Sequence, residues 1–278
     1  MLAPFLIMLR EGIEASLIVG IIAGYLTRTG RSAWLPAVWI GVFLAAAVAL
    51  FAGAGLQLAS AGFPQQAQEL FEAIVGVIAV AVLLTMVLWM RKAARTMGHD
   101  LRASVDKALT QGGAAPAWAL IAMVFLAVAR EGLETVFFLL AIFQQSSDAT
   151  APLGALLGLL VAAAVGYGIY AGALRLNLGL FFRWTGVFII FVAAGLLAGS
   201  LKALHEAGIW NLLQTQVYDL SAVLPETSPL GTVLAGLLGY RDAPTLGEVA
   251  VYLVFLALAL FFFLRPHQPA AAAGAAAS

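Results

Sequence analysis

Residues 6–26 read LIMLREGIEASLIVGIIAGYL, and residues 125–143 read FLAVAREGLETVFFLLAIF. Each is an apolar run with three charges set in its middle. The charges follow one pattern, Arg-Glu-Gly-x-Glu, which therefore occurs twice. The reading of the whole chain turns on what needs charge in a place that penalises it.

The rest of the chain says what kind of place that is. Of 278 residues, 63% are hydrophobic and only 10% are charged, against about 25% charged in a soluble domain. That makes the chain a polytopic, all-α integral membrane protein. Its formal net charge is zero, so no nucleic-acid partner is expected. It has no cysteine, which excludes disulfides and thiolate metal sites. The N-terminal MLAPFLIMLREG has no basic stretch ahead of its apolar run and no small-residue cleavage site behind it. It is expected to be a retained first span. Residues 266–278, ending in PAAAAGAAAS, are expected to be a disordered tail.

A helix needs about 20 apolar residues to cross a bilayer. Seven runs meet or approach that length: 4–27, 34–59, 68–90, 117–144, 152–174, 180–201 and 246–264. Breakers separate them at Thr29-Gly30, at Gly62 to Pro64, at Gly112-Gly113 and from Ser146 to Pro152. Alternate connections hold Arg28, Arg31, Arg91, Lys92, Arg95, Arg102, Lys107, Arg175, Arg183 and Arg265; the others hold only Lys202 and Arg241. The positive-inside rule then predicts an N-terminus outside and a C-terminus in the cytoplasm. The outer loop 202–245 contains SPLGTVLAGLLGY, too short to span. Ser228 can cap it and Pro229 suits a first helical turn, so a re-entrant or interfacial helix is expected there.

The two motifs fall in spans one and four. Three spans of separation make those helices run in opposite directions. The chain therefore reads as one transmembrane domain, 1–265, with inverted repeats of about 4–90 and 117–201 and a seventh span added. This is a recurring plan of transporters, with the substrate site near the midplane at the repeat interface.

Helical residues turn by about 100° each, so Arg10, Glu11 and Glu14 share one face, as do Arg130, Glu131 and Glu134. Gly12 and Gly132 leave the edge of that face bare, so another helix can come close. An ionised side chain at mid-bilayer costs roughly 2.5–3.5 kcal/mol, and six would cost on the order of 15–20 kcal/mol unpaired. These faces must turn toward each other or toward a wet pathway. Structural salt bridges, Arg10–Glu14 and Arg130–Glu134, would serve a non-transporting scaffold. They leave a remainder, because each motif carries one carboxylate more than it has cations. Two facing motifs attract a cation, much as carboxylates on facing helices build metal sites in bundles. An all-oxygen site without sulfur suits a hard ion: calcium, magnesium, manganese or ferric iron. Arg10 and Arg130 would hold the carboxylates when no metal is bound.

Further acids lie toward the outer side. Glu69 and Glu72 are three apart at the start of span three, and His205-Glu206 follows span six, where imidazole beside carboxylate suits an entry site. Asp219, Glu226, Asp242 and Glu248 are expected to be mostly ordinary solvated residues. Small-residue runs such as Gly154-x-x-x-Gly158 and Gly166-x-Gly168 are expected to pack helices. No GxxxxGK[ST] for an ATP-driven pump is present, and no nucleophile–base constellation stands out, so a transporter rather than an enzyme is expected.

Two Arg-Glu-Gly-x-Glu motifs in oppositely directed spans resemble the high-affinity iron permeases, the oxidase-dependent iron transporters of fungi and bacteria. QELFEAIVG, AGLLAGSLKALHEAGI and GYRDAPTLGEVAVYL look like the bacterial branch. The resemblance implies import of iron as substrate, with no built-in cofactor, through the bacterial inner membrane or plasma membrane. It implies oxidation of ferrous iron by a separate extracytoplasmic partner: a cupredoxin-type protein and a haem peroxidase in bacteria, a multicopper oxidase in fungi. It carries metal-binding roles to Glu11, Glu14, Glu131 and Glu134, to Glu72 and Glu69, and to His205 and Glu206. The chain lacks the long soluble N-terminal domain of some relatives, so that partner is expected to be a separate protein. Transport of lead, manganese or magnesium through the same site is the alternative.

Overall fold

A computed structural model describes residues 2–93, 97–111, 116–145, 150–171 and 178–265. Among these residues the architecture is helical throughout, apart from one isolated bridge between Gln216 and Thr245. The long helices are α1 (Leu2–Arg28), α2 (Leu35–Ala61, after a 3-10 turn at Ser32–Trp34) and α3 (Gln65–Ala93). A shorter α4 (Met97–Gln111) leads to α5 (Pro116–Gln145), α6 (Ala151–Tyr170) and α7 (Leu178–Glu206). A short α8 (Pro229–Leu238) precedes α9 (Leu246–Leu264).

Five stretches are long and apolar enough to cross a membrane: Ser32–Ser60, Gln65–Leu88, Ala151–Tyr170, Leu180–Glu206 and Leu246–Leu264. They make the chain a multi-pass integral membrane protein. The other two long helices, α1 and α5, are those that carry the motif charges. Many large apolar side chains of α2, α6 and α9 point outward, among them Phe43, Phe51, Leu160 and Phe262, as a lipid solvent permits.

The helix starts follow local chemistry. Ser228 Oγ accepts from the backbone N–H of Gly231 at 3.0 Å, Pro229 fills the first turn, and Gly239 closes α8 in the left-handed region (φ 66°). The cap expected at Ser228 is therefore present. In α9, Thr245 Oγ1 donates to Glu248 Oε1 at 3.1 Å and accepts from the Glu248 N–H. This Thr-x-x-Glu box buries Glu248, 5% exposed, which corrects its reading as a solvated residue. Arg241 Nε lies 3.5 Å from Glu248 Oε2.

Two boundaries differ from the sequence reading. Helix α7 runs to Glu206, five residues beyond the expected span end, so Lys202, His205 and Glu206 sit on its last turns rather than in the outer loop. The connection after span three is not a plain loop but contains α4. Leu101, Val105 and Leu109 fall at i, i+4 and i+8 on one face of that helix and pack into the core formed by α1, α2 and α5. Asp106, on its flank, accepts hydrogen bonds from Tyr25 Oη (2.7 Å) and Arg31 Nη1 (2.8 Å). The Tyr25 hydroxyl and then the Arg31 guanidinium hold its carboxyl below the ordinary 3.8. The expected breakers at Gly112-Gly113 and Ser146, the cation Arg175 and the tail 266–278 lie outside the described residues.

Packing follows one rule. α1 packs on α6, α2 on α5, and α3 on α7. Exchanging α1–α3 with α5–α7 turns the first contact into the second and leaves the third unchanged. Glycines repeat the correspondence. A Cβ on Gly41 of α2 would lie 2.9 Å from Ile121 O and 3.1 Å from Phe125 N. A Cβ on Gly158 of α6 would lie 2.4 Å from Phe5 O and 3.0 Å from Leu9 N. Each glycine thus lets its helix rest on one turn of backbone of the helix that carries the other repeat's motif.

Candidate metal site between α1 and α5

Helix α1 buries all three charges of the first motif; Arg10, Glu11 and Glu14 are each at most 2% exposed. Arg10 Nη1 donates to Glu11 Oε1 at 2.8 Å and also to the thioether of Met86, on α3, at 3.1 Å. Its Nη2 lies 3.0 Å from Glu14 Oε1, an ion-pair distance off the hydrogen-bonding direction. Arg10 Nε and Glu11 Oε2 are buried with no hydrogen-bond partner. Buried carboxylate oxygens left without donors are costly, and a cation is one partner that would satisfy them.

Helix α5 supplies the second motif. Arg130 Nε donates to Glu134 Oε1 at 2.9 Å, and Glu134 Oε2 is buried without a hydrogen-bond partner. The two intrahelical Arg–Glu pairs expected from the spacing are therefore both present. They are not equivalent: the Arg130 side chain is 52% exposed, that of Arg10 1%.

Across the helix pair, Glu11, Glu14 and Glu131 each offer a carboxylate oxygen within 4.8 Å of the others. Three of the four motif glutamates thus converge, while Glu134 is engaged by Arg130. The motif glycines allow neighbouring helices to close on the site. A Cβ on Gly12 would lie 2.6 Å from Ala162 Cβ on α6, and one on Gly132 would lie 3.0 Å from Ala49 Cβ on α2. Gly158 and Gly166, expected to be packing surfaces, meet Phe5 and Ser16 of α1 in the same way. Glu11 and Glu131 also form part of the wall of a cavity of about 620 Å³ between α1, α2, α5 and α6, otherwise made mostly of small apolar residues such as Ala45, Ala49 and Gly53.

A second acidic group forms where α3 begins and α7 ends. The carboxyl groups of Glu69, Glu72 and Glu206 lie near enough to one another to interact electrostatically. Lys202 Nζ sits 3.5 Å from Glu206 Oε1. His205 Nδ1 is 2.9 Å from the Trp210 carbonyl. In the neutral ring this makes Nδ1 the donor and leaves Nε2 as the lone-pair nitrogen. The loop acids have local duties. Asp219 accepts from the hydroxyl and N–H of Ser221, which hold its carboxyl below its ordinary value. Glu226 and Asp242 each accept from the other's backbone N–H, at 3.3 and 3.2 Å.

Sequence reasoning missed Met86. A methionine in an apolar span carries no signal of its own, and only the core that α1 and α3 share brings it to Arg10. The site's surroundings are therefore not purely oxygen.

The iron permease FTR1 family matches residues 1–267. The ferrous iron permease EfeU of Escherichia coli O6:H1 (strain CFT073) is 54% identical over 273 residues, 98% of this chain and 99% of that protein. The EfeU proteins of Shigella sonnei (strain Ss046) and Yersinia pestis are each 53% identical, over 277 and 278 residues. No solved structure matches the chain. With the family matched along nearly the whole chain, this protein belongs to the iron permease FTR1 family.

Proposed function

We propose that this iron permease imports iron across the inner membrane through a carboxylate site made by Glu11, Glu14 and Glu131, with Glu134 joining when Arg130 releases it. The observation that carries this reading is the convergence of three glutamates from two helices within 4.8 Å. Their buried, partly unpartnered oxygens are what a cation would satisfy. Arg10 and Arg130 act as internal counterions when no metal is present.

Seven helices, α1 to α3, α5 to α7 and α9, span the membrane, as two inverted repeats and a seventh helix. The exchange of helix contacts between the repeats supports this plan. The end that holds α4 faces the cytoplasm, in keeping with Arg28, Arg31, Arg102 and Lys107 there. The N-terminus, α8 and the Glu69–Glu72–Glu206 group then face outside, where that group and His205 meet the incoming ion. The two motifs share one pattern yet sit in unequal environments, as expected if the repeats rock to expose the site alternately. The relatives are named for ferrous iron. We take ferrous iron as the ion that enters the site, handed to the entry group at the outer face by a separate iron-delivery protein.

The test is radiolabelled iron uptake into proteoliposomes, with ferrous iron supplied with and without an oxidant. Wild type is expected to accumulate iron, and folded Glu14→Gln, Glu131→Gln protein is not. Uptake by the double variant at the wild-type rate would remove the carboxylates from the pathway.

A further inference from the structure

Soft atoms lie beside the site: Met8 lines the same cavity as Glu11 and Glu131, and Met86 meets Arg10. Met86, 3% exposed, projects from α3 so that its sulfur accepts from Arg10 Nη1, the same nitrogen that donates to Glu11 Oε1. One guanidinium nitrogen therefore stands between a thioether and a carboxylate. Met86 belongs to the core that α1, α3 and α7 share, where leucine would fill a similar volume but lacks the sulfur lone pair. Methionine is the flexible choice for such a gap, and its sulfur is polarizable.

We propose that Met86 is a specificity-determining residue of this permease. This role rests on the reading of Glu11, Glu14 and Glu131 as the metal site. A cation among those carboxylates repels the Arg10 guanidinium and takes over its carboxylate partners. Movement of Nη1 uncovers the sulfur on the side of Glu11. The arriving ion then meets carboxylate oxygens together with a thioether, instead of oxygens alone. Thioethers favour softer and borderline ions over hard ones. Ferrous iron gains from such a neighbour more than manganese or magnesium does, although their charge is the same. Carboxylates alone separate these ions poorly, because all of them accept oxygen ligands.

The measurement is ferrous iron uptake into proteoliposomes under a reductant, competed by manganese. Wild type is compared with Met86→Leu, which removes the sulfur, and Met86→Gln, which keeps length and an acceptor for Arg10 but makes it a hard oxygen. Glu14→Gln, Glu131→Gln protein runs beside them. The ratio of the manganese inhibition constant to the iron KM is expected to fall about tenfold in both Met86 variants, the scale of a lost supporting ligand interaction. A wild-type ratio in folded Met86→Leu would overturn the proposal. So would a wild-type ratio in Met86→Gln, because the sulfur itself would then be irrelevant; that arm also decides the matter if the leucine variant does not fold. Wild-type uptake by the glutamate double variant would instead overturn the site on which the proposal rests.

Discussion

Arg10 Nη2 lies 3.0 Å from Glu14 Oε1, and both side chains are almost wholly buried. The sequence twin of this pair, Arg130 and Glu134, has an arginine side chain that is half exposed. Breaking a buried pair by removing one partner costs about 3–5 kcal/mol, because the other charge is left uncompensated. Arg130 is not fully enclosed with its partner, so its loss leaves less buried charge uncompensated. Arg10→Ala is therefore expected to destabilise the protein severely and Arg130→Ala much less. Thermal unfolding of the purified protein in detergent, followed by loss of helical circular dichroism, ranks the two. Equal losses would contradict the inequality of the motifs.

Glycine packing gives a second ranking. A Cβ on Gly158 would lie 2.4 Å from the Phe5 carbonyl oxygen, and one on Gly24 meets nothing within 4 Å. Backbone cannot yield as a side-chain end can, so Gly158→Ala must separate α6 from α1. A cost of about 1–3 kcal/mol is expected, the usual range for overpacking. Gly24→Ala sits in a helix without obstruction and is expected to stabilise by roughly 0.5–1 kcal/mol through helix propensity. The same unfolding measurement checks both signs.

Those two contrasts mark what the sequence made legible and what it did not. Helix positions, the Ser228 cap and the two Arg–Glu pairs follow from hydropathy, turn chemistry and the i,i+4 spacing, all of them local. The convergence of Glu11, Glu14 and Glu131 was foreseeable in kind, since unpaired charge cannot face lipid. Which three of the four glutamates meet was not, because that depends on how α1 and α5 rotate against each other. Met86 and the inequality of Arg10 and Arg130 are set by packing between distant segments. The burial of Glu248 is a different case. Its Thr-x-x-Glu signature stood in the sequence at Thr245, and only the habit of reading loop acids as solvated hid it.

At the α4 end, Asp106 ties that helix to Tyr25 and Arg31. Its folded carboxyl is held low by these two donors, so unfolding would return it toward the ordinary value. A depressed carboxylate contributes stability above its unfolded pKa and loses it as pH falls through the folded one. Docking of α4 is accordingly expected to weaken on the acid side of 3.8 and to be unaffected by this group near neutrality. Amide hydrogen exchange in α4, corrected for intrinsic pH dependence, should report that loosening in wild type. Asp106→Asn should abolish this acid-dependent component. An unchanged acid response in the variant would assign the loosening to other groups.

The proposed entry group makes a kinetic prediction. Glu69, Glu72 and Glu206 lie together at the start of α3 and the end of α7, apart from the three converging glutamates. A group that collects ions governs how often the inner site is filled, not how fast a filled site empties inward. Glu72→Gln with Glu206→Gln should therefore raise the iron KM and leave the maximal uptake rate near that of wild type. Each lost carboxylate also removes attraction that salt screens, with a Debye length of about 8 Å at physiological ionic strength. The difference between variant and wild type should accordingly shrink as ionic strength rises. Initial rates over a range of iron concentrations, at two salt concentrations, separate the terms. A fall in maximal rate at unchanged KM would place these acids in the translocation step and not at its entrance.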